Sequence, residues 1–211
     1  MNLPNKLTVV RLGLTAVFVA AMLLPAEGIV RSVMPLGKTV ALVVFIVASL
    51  TDWLDGWIAR RHRLETAFGT LLDPLADKVL VVAAFICLIE QPAVRHQPAA
   101  GPLVQGWMVL LIVAREFLVT GMRLVAREKG AVLRAERLGK HKTFAQMFTI
   151  IVLVAGLAAR EDWNCLGWDC QQFDLMFAKL ALGLMTLVVV LTVGSGIAYL
   201  VKNRQLVFEH A

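Results

Sequence analysis

Apolar residues fall along this chain in six long stretches separated by short polar ones. The stretches cover about residues 7–24, 39–59, 70–89, 103–125, 143–159 and 175–201. Each is close to the roughly 20 residues that an α-helix needs to cross a hydrocarbon layer about 30 Å thick. In the last stretch, Tyr199 is the only ionisable side chain between Leu180 and Leu200. The first stretch has the position of a signal peptide. Its length, and the poor cleavage site offered by Leu24-Pro25-Ala26-Glu27, predict a retained helix instead. The expected fold is all-α: a polytopic membrane protein with six spans, forming a single domain over residues 1–211 without internal repeat, low-complexity segment or linker.

Composition agrees with that solvent. Of 211 residues, 59% are apolar and 17% charged, and the mean hydropathy is +0.75. A soluble domain is about 45–50% apolar and about 25% charged, so the surplus must face lipid. Charge then orients the helices. With the N-terminus inside, the cytoplasmic side carries Lys6, Arg11, Arg60, Arg61, Arg63, Arg127, Lys129, Arg134, Arg137, Lys140, Lys142, Lys202 and Arg204. The opposite side carries Arg31, Lys38, Arg95 and Arg160, a bias of thirteen to four. Cytoplasmic loops are the Lys/Arg-rich ones, which puts both termini in the cytoplasm. The net charge of +6 is then mostly a cytoplasmic-face property, suited to anionic headgroups and phosphorylated substrates. Dispersed among spans, it gives nucleic-acid binding little support. Cys87 sits in an apolar run as packing. Cys165 and Cys170 lie in the acidic 160–174 loop, where a disulfide is open if that side is oxidising.

The chemistry is written in carboxylates. The second stretch ends Thr51-Asp52-Trp53-Leu54-Asp55-Gly56-Trp57-Ile58-Ala59-Arg60, and the third begins Gly69-Thr70-Leu71-Leu72-Asp73-Pro74-Leu75-Ala76-Asp77-Lys78. Ionisable groups in a span are expensive and mark polar interior sites. Helical spacing puts Asp52, Asp55, Gly56 and Ala59 on one face, and Gly69, Asp73 and Asp77 on another. About nine residues join the two stretches, so the helices are expected to be antiparallel neighbours with their aspartates converging at the inner leaflet. Four close carboxylates repel one another unless cations sit between them. Arg60 and Lys78 neutralise part of that charge. Hard divalent ions fit better: Mg2+ and Mn2+ favour carboxylate oxygen, and no Cys/His set suggests zinc. Two such ions clamp a phosphoryl displacement. A structural ion-pair network, or the cation path of a transporter, is the competing reading. Pro74 cannot donate to the carbonyl of Thr70, so a kink or helix start is expected there.

The pattern Asp52-x2-Asp55-Gly56-x2-Ala59-Arg60-x8-Gly69-x3-Asp73-x3-Asp77 resembles the CDP-alcohol phosphotransferase signature at every specified position. The resemblance extends to the six-helix layout and so to nearly the whole chain. It implies that Asp52, Asp55, Asp73 and Asp77 hold two metals, with Asp77 as general base. It implies that Gly56, Ala59, Arg60 and Gly69 shape the CDP pocket, Arg60 near the phosphates, and that the protein is a homodimer.

The alcohol must be read elsewhere. Arg115 and Arg123 lie in the fourth stretch beside Glu116, and Leu138-Gly139-Lys140-His141-Lys142-Thr143-Phe144-Ala145-Gln146 opens the fifth. Cations facing a polar cavity suit a phosphate on the acceptor, whereas choline or ethanolamine would call for anions or aromatics. An Arg–Glu116 ion pair and membrane-surface anchoring are the plainer readings of these residues. With Asn2-Leu3-Pro4-Asn5-Lys6-Leu7-Thr8-Val9-Val10-Arg11, the segments look like those of bacterial phosphatidylglycerophosphate synthases, although cardiolipin synthases share the N-terminal pattern. That likeness implies CDP-diacylglycerol as donor, glycerol 3-phosphate as acceptor, and Arg115, Arg123, Lys140 and Lys142 at the acceptor phosphate. Asn5 and Thr8 are candidates for touching the CDP moiety, with helix capping an equally good account of Asn5. Phosphatidylglycerol and inositol phosphate are the alternative acceptors.

Overall fold

The computed structural model describes residues 3–23, 36–62, 67–94, 101–128, 138–167 and 169–203, with the side chains of 3–8, 52–77, 125, 127–128 and 138–140 outside that description. The described chain is all-helical: α1 (Leu3–Leu23), α2 (Gly37–His62), α3 (Ala67–Ile89), α4 (Gly106–Glu128), α5 (Leu138–Glu161), a 3-10 turn (Asn164–Gly167) and α6 (Cys170–Lys202). One isolated antiparallel bridge, Pro92 to Pro102, is the exception. Two of these helices, over His141–Glu161 and Cys170–Lys202, are long and apolar enough to cross a membrane. Val9–Leu23, Gly37–Thr51 and Lys78–Ile89 are shorter apolar segments.

The helices run longer than the hydropathy pattern predicts. α2 continues to His62 and α3 begins at Ala67, leaving four residues between them rather than about nine. Pro74 falls inside α3 and not at its start. Polar residues at a helix end keep their backbone hydrogen bonds while lowering mean hydropathy, so hydropathy underestimates the helix.

α1 packs on α2 and α3, α5 packs on α2, α3 and α6, and α4 packs on α3 and α6. The core holds Phe18 against Phe45 with ring centroids 5.6 Å apart, together with Phe85, Leu88, Ile150 and Met185. At Gly156 an added Cβ would stand 2.0 Å from the Phe177 ring, so α5 and α6 meet through a bare glycine. Small residues at such contacts let membrane helices approach closely.

One end of the bundle gathers the C-termini of α1, α3 and α5 with the N-termini of α2, α4 and α6. There Lys38 donates to the Met22 carbonyl and lies 3.7 Å from Glu161. The Thr39 amide and hydroxyl donate to Asp162 at 2.6 and 2.7 Å. Arg160 is fully buried. It reaches Glu161 at 3.0 Å and Asp174 at 4.0 Å, and donates to the Pro92 carbonyl at 2.9 Å. Lys38 and Arg160 are therefore internal ion-pair members rather than the loop cations expected from sequence. Beyond α5 the chain reverses through Asn164, Cys165 and Leu166, all at positive φ between 47° and 61°. Left-handed backbone costs L-residues roughly 1–2 kcal/mol each. A Cys165–Cys170 disulfide closes the reversal, and Asp169 caps α6 by accepting from the Gln171 amide at 3.1 Å.

Candidate active site

The opposite end gathers the N-termini of α1, α3 and α5 and the C-termini of α2, α4 and α6. All four aspartates lie on helical backbone there: Asp52 and Asp55 in the last part of α2, Asp73 and Asp77 in the first part of α3. Helix across both pairs keeps the i, i+3 and i, i+4 spacings that align them along one face each. The side chains of Asp52, Asp55, Gly56, Ala59, Arg60, Gly69, Asp73 and Asp77 lie outside the described residues, as do those of Asn5, Thr8 and Lys140. Among the described residues, no group of His, Cys, Asp or Glu is arranged to hold a metal.

Directly beside those segments is a cleft lined by Arg11 of α1, Ser49 of α2, Lys78 of α3, Glu116 of α4, and Thr143 and Gln146 of α5. Ser49 stands one turn before Asp52, and Lys78 follows Asp77. Five helices thus contribute to one recess next to the aspartates. Its electrostatic centre is Glu116, which is 4% exposed. The Glu116 carboxylate accepts from Lys142, lies 3.2 Å from Lys78 Nζ and 3.3 Å from Arg115 Nη1. Three cations from three helices therefore surround one buried anion. Cations fixed in place by a buried carboxylate are of the type that binds an anion of the phosphate kind.

Arg115 and Lys142, both expected at an acceptor phosphate, are brought together here. Arg123 is not: it is exposed, with its guanidinium carbon 5.6 Å from the centre of the Tyr199 ring. Sequence reasoning gave several members no site role, although Arg11 and Gln146 close two of the segments that carry the resemblance. Arg11, read as a loop cation, is 5% exposed within α1. Gln146 is 3% exposed, and its Nε2 has no hydrogen-bond partner among the described residues. Ser195 on α6 accepts from Arg115 at 3.2 Å. A signal for Arg11 and Gln146 existed in their being polar on otherwise apolar helices. Ser195 had none, since a serine bonding its own helix is ordinary in an apolar span.

Comparison with known proteins matches residues 1–194 to the family model described as CDP-alcohol phosphatidyltransferase. A Bacillus subtilis protein named CDP-diacylglycerol–glycerol-3-phosphate 3-phosphatidyltransferase is 39% identical over 206 residues, covering 96% of this chain and 95% of that one. Proteins of the same name from Rickettsia bellii and Pseudomonas fluorescens are 37% and 34% identical, over 74% and 80% of this chain and 76% and 80% of their own. With a signature intact on two successive helices and a match spanning most of its length, the chain belongs to the CDP-alcohol phosphatidyltransferase family.

Proposed function

We propose that the protein transfers the phosphatidyl group of CDP-diacylglycerol to a hydroxyl of sn-glycerol 3-phosphate, forming phosphatidylglycerophosphate and CMP. The observation that carries this reading is the meeting of Lys78, Arg115 and Lys142 around Glu116, beside two helix segments that bear the family's aspartates. Such a cluster suits an acceptor that carries its own phosphate. The relatives' printed names support the same acceptor.

Asp52, Asp55, Asp73 and Asp77 would hold two divalent cations, Mg2+ or Mn2+. The fit is one of donor chemistry and backbone placement: four carboxylates on helix segments at one end of the bundle, a hard oxygen set without thiolate or imidazole. When bound, such ions neutralise the pyrophosphate and the charge that builds on departing CMP. Gly56, Ala59 and Gly69 leave room for the CDP moiety, and Arg60 pairs with its phosphates, with Asn5 and Thr8 as further contacts. Arg115 and Lys142 hold the acceptor phosphate, with Lys140 as a further contact, while Arg123 lies against Tyr199. Asp77 then takes the proton of the attacking hydroxyl onto a carboxylate oxygen. The hydroxyl oxygen bonds to the phosphorus of the diacylglyceryl phosphate. The bond from that phosphorus to the bridging oxygen breaks, and CMP leaves with the electron pair.

All six helices are read as crossing the inner membrane, with both termini and the active site on the cytoplasmic side. The Lys/Arg bias supports this orientation. So does the pairing of Lys38 and Arg160 with acids at the far end, which removes two of the few cations there. The disulfide at that end suits an oxidising compartment. A homodimer is the assembly expected by resemblance to the family.

Purified protein in detergent, given CDP-diacylglycerol, Mg2+ or Mn2+ and a panel of acceptors, tests the proposal. CMP release with glycerol 3-phosphate and little with inositol phosphate is expected. Equal or faster turnover with phosphatidylglycerol would overturn the acceptor. Metal flux into liposomes without nucleotide lipid would favour a transporter.

A further inference from the structure

Arg115 touches Glu116, which lines the recess, and is braced from the other side by α6. One guanidinium nitrogen, Nη1, lies 3.3 Å from Glu116, and the other, Nη2, donates to the Ser195 hydroxyl at 3.2 Å. That hydroxyl donates its own hydrogen to the Thr192 carbonyl at 3.0 Å. Its proton is thus committed, and the oxygen presents lone pairs to the arginine. Ser195 is 2% exposed, so water competes poorly for either bond. The neighbouring position fixes the stem of the same side chain. A Cβ added at Gly196 would stand 3.0 Å from Arg115 Cγ and 3.9 Å from Nε, so the stem lies directly on the bare backbone of α6. Further along the same seam, Arg123 sits over the Tyr199 ring. The family match ends at residue 194, so it does not reach Ser195, Gly196 or Tyr199.

We propose that α6 sets the affinity for the acceptor phosphate, with Ser195 and Gly196 acting as positioning residues that aim the Arg115 guanidinium. The proposal rests on the reading of Arg115 as a phosphate-binding residue. The physical reason is directional. A guanidinium offers a planar fork, and its value to a phosphate depends on how that plane is aimed before the ligand arrives. Glu116 restrains one prong and Ser195 the other, while Gly196 lets the stem lie flat enough for both. An alanine at 196 forces the stem away by a few tenths of an ångström; an alanine at 195 releases one prong.

The test is steady-state kinetics on the full chain in detergent, with Ser195→Ala and Gly196→Ala, and Gly194→Ala as a matched control. Gly194 is exposed on the same helix, with nothing within 4 Å of an added Cβ. Loss of one charge-assisted hydrogen bond predicts a KM for glycerol 3-phosphate raised about five- to tenfold in each of the first two variants. Turnover number and the KM for CDP-diacylglycerol should stay near wild type, and Gly194→Ala should behave as wild type throughout. A general loosening of the fold would instead move both substrates' KM values and the turnover number together, and that result overturns the proposal. So does an acceptor KM unchanged in both variants. A second readout separates this inference from the assigned reaction: protection of the protein against thermal unfolding by glycerol 3-phosphate or inorganic phosphate. Protection of wild type that is lost in Ser195→Ala and Gly196→Ala supports the aiming of Arg115, even if the acceptor panel selects another alcohol. Equal protection of all three proteins sinks it.

Discussion

At the scale of single residues, two carboxylates have opposite tasks. Asp77 is assigned a proton, so its exchange for Asn should abolish turnover while leaving part of the CDP-lipid binding, since Asn keeps one oxygen ligand but accepts no proton. Turnover and CDP-lipid binding measured on the same preparation check this, and an active Asp77→Asn protein would remove the base. Glu116 is assigned no proton; it balances Lys78, Arg115 and Lys142 in a buried setting. Breaking a buried pair by removing one partner costs about 3–5 kcal/mol, because the other charge is left uncompensated. Glu116→Gln should therefore lower the thermal midpoint in detergent. Inorganic phosphate should restore more of that midpoint than it adds to wild type, because an anion that binds only the folded state replaces the missing charge. A variant that melts like wild type and gains nothing extra from phosphate would contradict the cluster's role as an anion site.

At the scale of elements, α5 and α6 share the Arg160–Asp174 pair at one end and, further along, meet through shape. Gly156 receives the Phe177 ring so closely that an added Cβ would stand 2.0 Å from its nearest carbon. Overpacking of this kind costs about 1–3 kcal/mol where the ring can turn aside. Gly156→Ala should melt at lower temperature than wild type, and trimming the ring in Gly156→Ala/Phe177→Leu should recover part of the loss. Neither change touches the acceptor recess, so the KM for glycerol 3-phosphate should hold. The helix pair α2–α3 shows what a local pattern reveals and what it hides. Its helical backbone was legible because helical spacing repeats along the chain. Its true ends were not, because charged terminal turns break the apolar pattern without breaking the helix.

At the scale of the molecule, the two ends do different work. The end remote from the aspartates ties the termini of five helices through Lys38, Thr39, Arg160, Glu161, Asp162 and Asp174, with the Cys165–Cys170 disulfide beside it. Arg160→Met should destabilise the fold by about 3–5 kcal/mol, since Glu161 and Asp174 lose a buried cation. Thermal unfolding in detergent measures this. Arg160→Met/Asp174→Asn, which leaves Glu161 its Lys38 partner, removes the imbalance and should regain much of the loss. A single variant as stable as wild type would show that the network carries no weight.

The sequence by itself determined the helical class and the family, because each depends on periodicity or on residues close together in the chain. It also contained every cation of the acceptor recess. Only the tertiary structure decided which cations meet. Arg115 and Lys142 converge with Lys78 on Glu116, while Arg123 turns to Tyr199, and Lys38 and Arg160 serve the far end. Periodicity places a side chain on a face of its own helix. Which face of which neighbour it meets depends on helix rotation and tilt, and those are set by packing such as Gly156 on Phe177 and Gly196 on Arg115.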